Sequence, residues 1–109
     1  MEKRVFKRIP AFLSATLFYD DFFYDIRIIN LSQNGIFFIS NEYLSSGLNI
    51  EIYIPLKNTA LKVPFKIVRI SEIIDNMHFR FGAEILSPSQ EYLKFIKGRV
   101  ALQIQNILR

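Results

Sequence analysis

"FFYDIRIINLSQNGIFFIS", residues 22–40, carries two apolar runs separated by a polar break that contains Asn34-Gly35. Aromatic and β-branched residues dominate both runs, as they do in strands. An Asn-Gly pair between such runs is a strong hairpin signal, because a type I′ turn needs positive φ at both central residues. The stretch therefore predicts two antiparallel strands joined at Asn34-Gly35. Side chains alternate along a strand, so Asn30 and Ser32 fall on one face and Leu31 on the other. Ile26 and Ile28 share the face of Asn30 and Ser32. Something has to cover those isoleucines.

The same alternation extends in both directions. "AFLSATLFY" (11–19) is an aromatic, alternating strand that ends in a turn at Asp20-Asp21. In "LNIEIYI" (48–54), Leu48, Ile50, Ile52 and Ile54 face one way and Asn49, Glu51 and Tyr53 the other. "ALKVPFKIVRI" (60–70) puts Leu61, Val63, Phe65 and Ile67 on one face, with Pro64 on the other marking an edge or a bulge. "MHFRFGAEIL" (77–86) sends Phe79, Phe81, Ala83 and Ile85 inward and His78, Arg80, Gly82 and Glu84 outward. Six strands with short turns predict an antiparallel barrel or sandwich. The period then changes. "SPSQ" (87–90) starts a helix, with Ser87 as cap, Pro88 at the first helical position and Gln90 completing a capping box. Leu93, Ile96, Val100, Ile104 and Ile107 recur at helical spacing. This helix is the expected lid over Ile26 and Ile28. Gly98 inside it costs about 1 kcal/mol relative to Ala and marks a weak point. The expected organisation is one domain: a basic arm (1–10), a barrel (11–86) and a closing helix (87–109).

Composition bounds the function. Half of the 109 residues are apolar and eleven are Phe, ample for a core in a chain of single-domain length. There is no Cys, hence no disulfide or thiolate chemistry. No apolar run approaches the length of a membrane span, and the basic start has no apolar segment behind it, so a cytoplasmic location is expected. The net charge of +4 is unevenly spread: residues 1–10 carry +3, residues 11–90 carry −2 and residues 91–109 carry +3. A barrel that coats RNA or DNA more often bears its positive charge on a face of the fold.

Catalysis finds little support. A single His, no Cys and no clustered carboxylates leave neither a metal site nor a catalytic group. His78 and Arg80 are expected as surface residues, and Asp20 and Asp21 as turn formers. Two other features stand out. Arg4 and Arg8, in "RVFKR", are spaced to present two guanidinium forks, which suit phosphate oxygens and the O6/N7 edge of guanine. Asn30 and Ser32, in "NLSQNG", place two short hydrogen-bonding side chains at a strand end. Taken separately, the first is better explained as a solvated basic tail and the second as an ordinary hairpin.

Taken together and in this order, Arg4-x-x-x-Arg8 followed by Asn30-x-Ser32-x-x-Gly35 resembles the PilZ domain family, bacterial receptors for cyclic di-GMP. The resemblance covers nearly the whole chain, with "FRFGAEIL" similar to the family's last barrel strand. Asn30 stands where the family more often has Asp. The resemblance implies an all-β fold, a six-stranded antiparallel Greek-key barrel of the split-barrel type with a C-terminal helix, and a ligand on its outer surface. Arg4 and Arg8 would clamp phosphates and guanine edges, and Asn30 and Ser32 would read a guanine. Gly35 would let the backbone turn. Gly82 would leave room for a base or else mark a bulge, and Lys3 and Lys7 would raise the local potential. The implied function is a non-catalytic signal receptor that changes its surface and so regulates an effector protein in motility, exopolysaccharide or virulence control, with no cofactor beyond the ligand. An interaction module without nucleotide binding and a small RNA- or DNA-binding barrel are the alternatives. The helix exceeds what a small barrel needs, so its stripe at Val100, Ile104, Ile107 and Leu108 would suit a homodimer.

Overall fold

Alternation along every apolar run sends one face of each strand to a common interior. A computed structural model shows how they meet. It describes residues 9–75 and 78–108, apart from the side chains of residues 72, 74, 75 and 100–108. Six strands precede one helix: β1 (Ile9–Tyr19), β2 (Phe22–Leu31), β3 (Gly35–Ser40), β4 (Asn49–Pro55), β5 (Ala60–Asp75), β6 (His78–Ile85) and α1 (Gln90–Leu108). They close into an antiparallel barrel in the order β1-β2-β3-β6-β5-β4, a Greek key. The seam between β1 and β4 is short, with three residue pairs from Thr16↔Tyr53 to Phe18↔Glu51. β1 starts two residues earlier than the alternation predicts, because Ile9 and Pro10 pair with Leu31 and Asn30.

In β4, β5 and β6 the predicted inward residues line the interior, with Leu48, just before β4, and Phe79 and Ile85 partly buried at its margin. Leu17, Ile52, Ile54, Phe65, Ile67 and Phe81 are wholly inaccessible to solvent. Each such side chain stabilises the fold by roughly 1.5–3 kcal/mol relative to exposure. Phe38 and Phe81 stack across the β3–β6 ladder, with ring centroids 5.3 Å apart. Pro64 lies opposite Glu51 of β4, just before the β5–β6 ladder begins at Phe65↔Ile85. That edge-like setting suits a residue with no N–H to donate.

Three expectations need correction. Positive φ occurs at Asp20 (52°) and Asp21 (66°), so the two-residue type I′ turn joins β1 to β2. Asn34-Gly35 has no such geometry. The β2–β3 connection is instead a wider turn, closed by the Ser32 N–H donating to the Gly35 carbonyl (2.9 Å). Second, Ile26 and Ile28 need no helical lid. Both are buried inside the barrel, because a bulge between Ile28 and Asn30 changes the phase of β2. Third, the helix cap is Ser89 rather than Ser87: its Oγ accepts the Tyr92 N–H (3.1 Å), the bond an N-cap side chain makes to the third helical residue. Pro88 thus lies outside the helix and Gln90 forms no capping box.

The helix docks through Tyr92 and Ile96, one turn apart and both buried. The Tyr92 ring meets Phe65 edge to face (6.1 Å, 81°), and its hydroxyl donates to the Ser32 carbonyl (2.7 Å). The helix continues through Gly98. The stripe at Val100, Ile104, Ile107 and Leu108, on which the dimer expectation rests, lies outside the described side chains. Among the described residues, no helix is long and apolar enough to cross a membrane.

Burial pushes the Tyr92 phenol well above its ordinary pKa. The folded state therefore favours the neutral phenol. This contribution is complete below the unfolded pKa of about 10 and is lost as pH rises beyond it. Tyr92→Phe removes the bond and leaves the Ser32 carbonyl without this donor, a loss of about 1–3 kcal/mol. Melting curves should show a lower Tm for Y92F at pH 7 and a shallower decline than wild type between pH 9.5 and 11.5. Equal alkaline slopes would contradict a buried phenol.

Candidate functional site

Barrel register lines up four residues in one transverse row, Asn30↔Phe37↔Gly82↔Arg69, across β2, β3, β6 and β5. The two neighbouring rows point inward. One is Ile28, Phe38, Phe81 and Ile70; the other is Leu31, Ile36, Ala83 and Ile67. A row between two inward rows faces out. On β3 and β6 the inward residues are two apart, as alternation requires. On β2 and β5 they are three apart, Ile28 to Leu31 and Ile67 to Ile70. Each of those strands carries an extra residue in a bulge beside this row, between Ile28 and Asn30 in β2 and between Ile67 and Arg69 in β5, so the row is flanked from both ends. They move Asn30 and Arg69 from a core phase to the surface.

Gly82 forms the low point of the row. A Cβ there would lie 3.1 Å from the Phe37 ring and 3.5 Å from both Cγ and Nε of Arg69. The Arg69 side chain crosses over this gap, and its guanidinium carbon sits 5.3 Å from the Phe37 ring centroid. Such cation–π contacts stabilise by about 0.5–1 kcal/mol at exposed sites. The sequence left open whether Gly82 marks a cleft or a bulge. It lines a cleft, and the bulge lies in the strand opposite.

The turn of residues 32–35 forms the adjoining wall. Ser32 is 4% exposed, and its hydroxyl donates to Asn34 Oδ1 (2.6 Å). Its one proton is committed there, so towards a ligand the hydroxyl acts as an acceptor. The turn is pinned to β6 by the Ile85 N–H, which donates to the Asn34 carbonyl (2.8 Å). Gly35 is required by that close approach, since a Cβ would run into the Ala83 carbonyl oxygen. The cavity so enclosed measures about 370 Å³ and also takes in Glu84, whose carboxylate can accept from N–H donors. That volume falls within the usual range for small-molecule sites, roughly 300–1,000 Å³.

Of the residues singled out in the sequence, Asn30, Ser32, Gly35 and Gly82 come together in this cavity. Lys3, Arg4, Lys7 and Arg8 lie outside the described residues. Ile9, to which Arg8 is bonded, pairs with Leu31, the residue before Ser32. His78 and Arg80 are half-buried rather than fully at the surface. Among the described residues, no group of His, Cys, Asp and Glu side chains could hold a metal ion. Phe37, Arg69 and Glu84, of which only Glu84 was placed on an outward face, were not singled out as site residues in the sequence. A signal for Arg69 existed: it shares the phase of Leu61, Val63, Phe65 and Ile67, and a charge at a core phase marks a break in alternation.

The PilZ domain family model matches residues 2–101 of the chain. The chain belongs to the PilZ domain family. Among solved structures, the PilZ domain of YcgR from Escherichia coli with c-di-GMP superposes with a TM-score of 0.73 at 18% identity, covering 99% of this chain and 95% of that one. The Bacillus subtilis inhibitor of motility, MotI/DgrA, gives a TM-score of 0.76 at 16% identity, covering 96% of this chain and 53% of that one. YcgR in complex with c-di-GMP gives 0.66 at 20% identity, with 99% and 51% covered. The chain thus spans about half the length of MotI/DgrA and of that YcgR structure. These similarities show a shared fold. No curated protein sequence matches the chain significantly.

The two glycine environments predict opposite outcomes. Gly35→Ala meets backbone and should lower stability by about 2 kcal/mol or more, as other severe steric substitutions do. Gly98→Ala has nothing within 4 Å and should raise it by about 0.5–1 kcal/mol through helix propensity. Urea denaturation of both variants checks this; a neutral Gly35→Ala would contradict the close approach of β3 to β6.

Proposed function

We propose that the chain is a receptor for cyclic di-GMP and that ligand capture changes the surface it offers to a partner protein. The observation that carries this reading is the outward cleft over Gly82, bounded by Asn30 and Ser32 and adjoining the strand end from which the basic arm departs. Asn30 offers both a donor and an acceptor to a guanine edge, and Ser32 an acceptor. Neither can neutralise two phosphates, and the barrel segment is itself net negative. The arm supplies that charge. Arg8 is bonded to Ile9, and Arg4 is tethered within roughly 18 Å of it at full extension. Four like charges in six positions repel one another until a dianion sits among them. Guanidinium forks then bind phosphate or guanine bidentately, and Lys3 and Lys7 add potential. The reading has no catalytic step. The presence of c-di-GMP in the YcgR structures supports it, as does the intact set of Arg4, Arg8, Asn30 and Ser32. That set disfavours an interaction module without nucleotide binding. The acidic balance of the barrel disfavours an RNA- or DNA-binding surface.

Calorimetric titration tests the reading, with GTP and a single-stranded oligonucleotide as controls. Cyclic di-GMP should bind and the controls should not. Arg4→Ala and Arg8→Ala should each weaken binding by roughly tenfold or more, and Ser32→Ala by less, given about 1.5–3 kcal/mol for a charge-assisted bond and about 1 for a neutral one. Saturating ligand should also slow trypsin cleavage at Lys3, Arg4, Lys7 and Arg8. Binding of the oligonucleotide but not the dinucleotide would overturn the receptor reading.

A further inference from the structure

We infer that Arg69 and Phe37 form a base-stacking shelf, a second recognition element on which one purine of the bound dinucleotide rests. This rests on the receptor reading above. Arg69 belongs to neither the arm nor the Asn30–Gly35 turn. It reaches the site because the β5 bulge between Ile67 and Arg69 turns a core-phase position outward, opposite Gly82. Four features of its setting point to stacking rather than to a surface ion pair. Among the described residues, Arg69 has no carboxylate within ion-pairing distance. Its side chain lies across the Gly82 gap, with Cγ and Nε both 3.5 Å from where a Cβ would be. The end of the side chain is seated over the Phe37 ring, at 5.3 Å from the centroid. Phe37 is itself 9% exposed, so the ring offers solvent little beyond what the guanidinium covers.

A guanidinium seated over a ring has a second flat face for another π system, and it is held there before the ligand arrives. Gly82 keeps the floor low enough for this layer, and Asn30 and Ser32 stand at the other side of the same cleft to meet the base edge. The chemical class recognised is a planar purine attached to a phosphate, with the arm holding the phosphate and the shelf the base. Lysine would restore the charge at this position and not the plane.

Arg69→Lys and Arg69→Ala in the full chain, titrated with cyclic di-GMP at two salt concentrations, decide the matter. On the shelf account both variants weaken binding by a similar factor, roughly ten- to a hundredfold for a lost base stack. Arg69→Lys also keeps the salt dependence of wild type, since the charge is retained. Both should stay folded and melt within several degrees of wild type, since the residue is exposed and its contact with the Phe37 ring contributes only about 0.5–1 kcal/mol. Wild type that binds while Arg69→Lys stays within twofold of it would overturn the shelf and leave the receptor reading standing. Wild type that does not bind cyclic di-GMP would overturn the receptor reading, and the shelf with it.

Discussion

Strict alternation in a closed barrel gives every strand one face for the core and one for water, so a polar side chain on the wrong phase must be desolvated at a cost of several kcal/mol or moved. Here two side chains are moved. One extra residue in β2 and one in β5 carry Asn30 and Arg69 to the outside, and the register aligns both bulges on the Phe37–Gly82 pair. The cleft exists because these insertions coincide. A bulge in one strand alone would leave the other residue in the core phase. The row between would then have a polar group at only one end. Gly82 has meaning only in this setting, since its missing Cβ makes room for Phe37 and Arg69.

Ser32 links this surface to the rest of the fold. Its side chain lines the cleft, and its carbonyl accepts the hydroxyl of Tyr92, the residue through which α1 is anchored. The same tyrosine has its backbone N–H capped by Ser89 and its ring against Phe65. The turn is also tied to β6 through Asn34 and through the tight approach of Gly35 to Ala83. A ligand that engages Ser32 therefore touches a residue in direct contact with the helix. The barrel contributes rigidity, and the turn and helix meet at one hydrogen bond.

Much of the fold was legible because the relevant signals are periodic. The interior positions of β4, β5 and β6 follow from a period of two, and residues such as Ile52, Phe65 and Phe81 are as buried as that period demands. The family resemblance added the Greek-key barrel and its C-terminal helix. Turn chemistry misled at the β2–β3 connection: the left-handed geometry that Asn34-Gly35 advertises occurs instead at Asp20-Asp21, between β1 and β2. The cap was misplaced because Ser87 and Ser89 are both competent, and it is Ser89 that accepts the Tyr92 N–H. The site was half legible. Its Asn, Ser and Gly lie together in the sequence, whereas Arg69 and Phe37 meet them only through register, and register depends on bulges that shift by single residues.

An amide chemical-shift titration of the full chain with cyclic di-GMP tests the central claim most directly. The account predicts that the largest perturbations fall on three separate segments, residues 30–37 from the end of β2 through the turn into β3, residues 68–69 of β5 and residues 82–84 of β6. Smaller changes should run through Tyr92 into the first turn of the helix. Perturbations centred instead on Ser14, Arg27, Ile39 and Asn41, which line a separate open cavity of about 670 Å³, would contradict it.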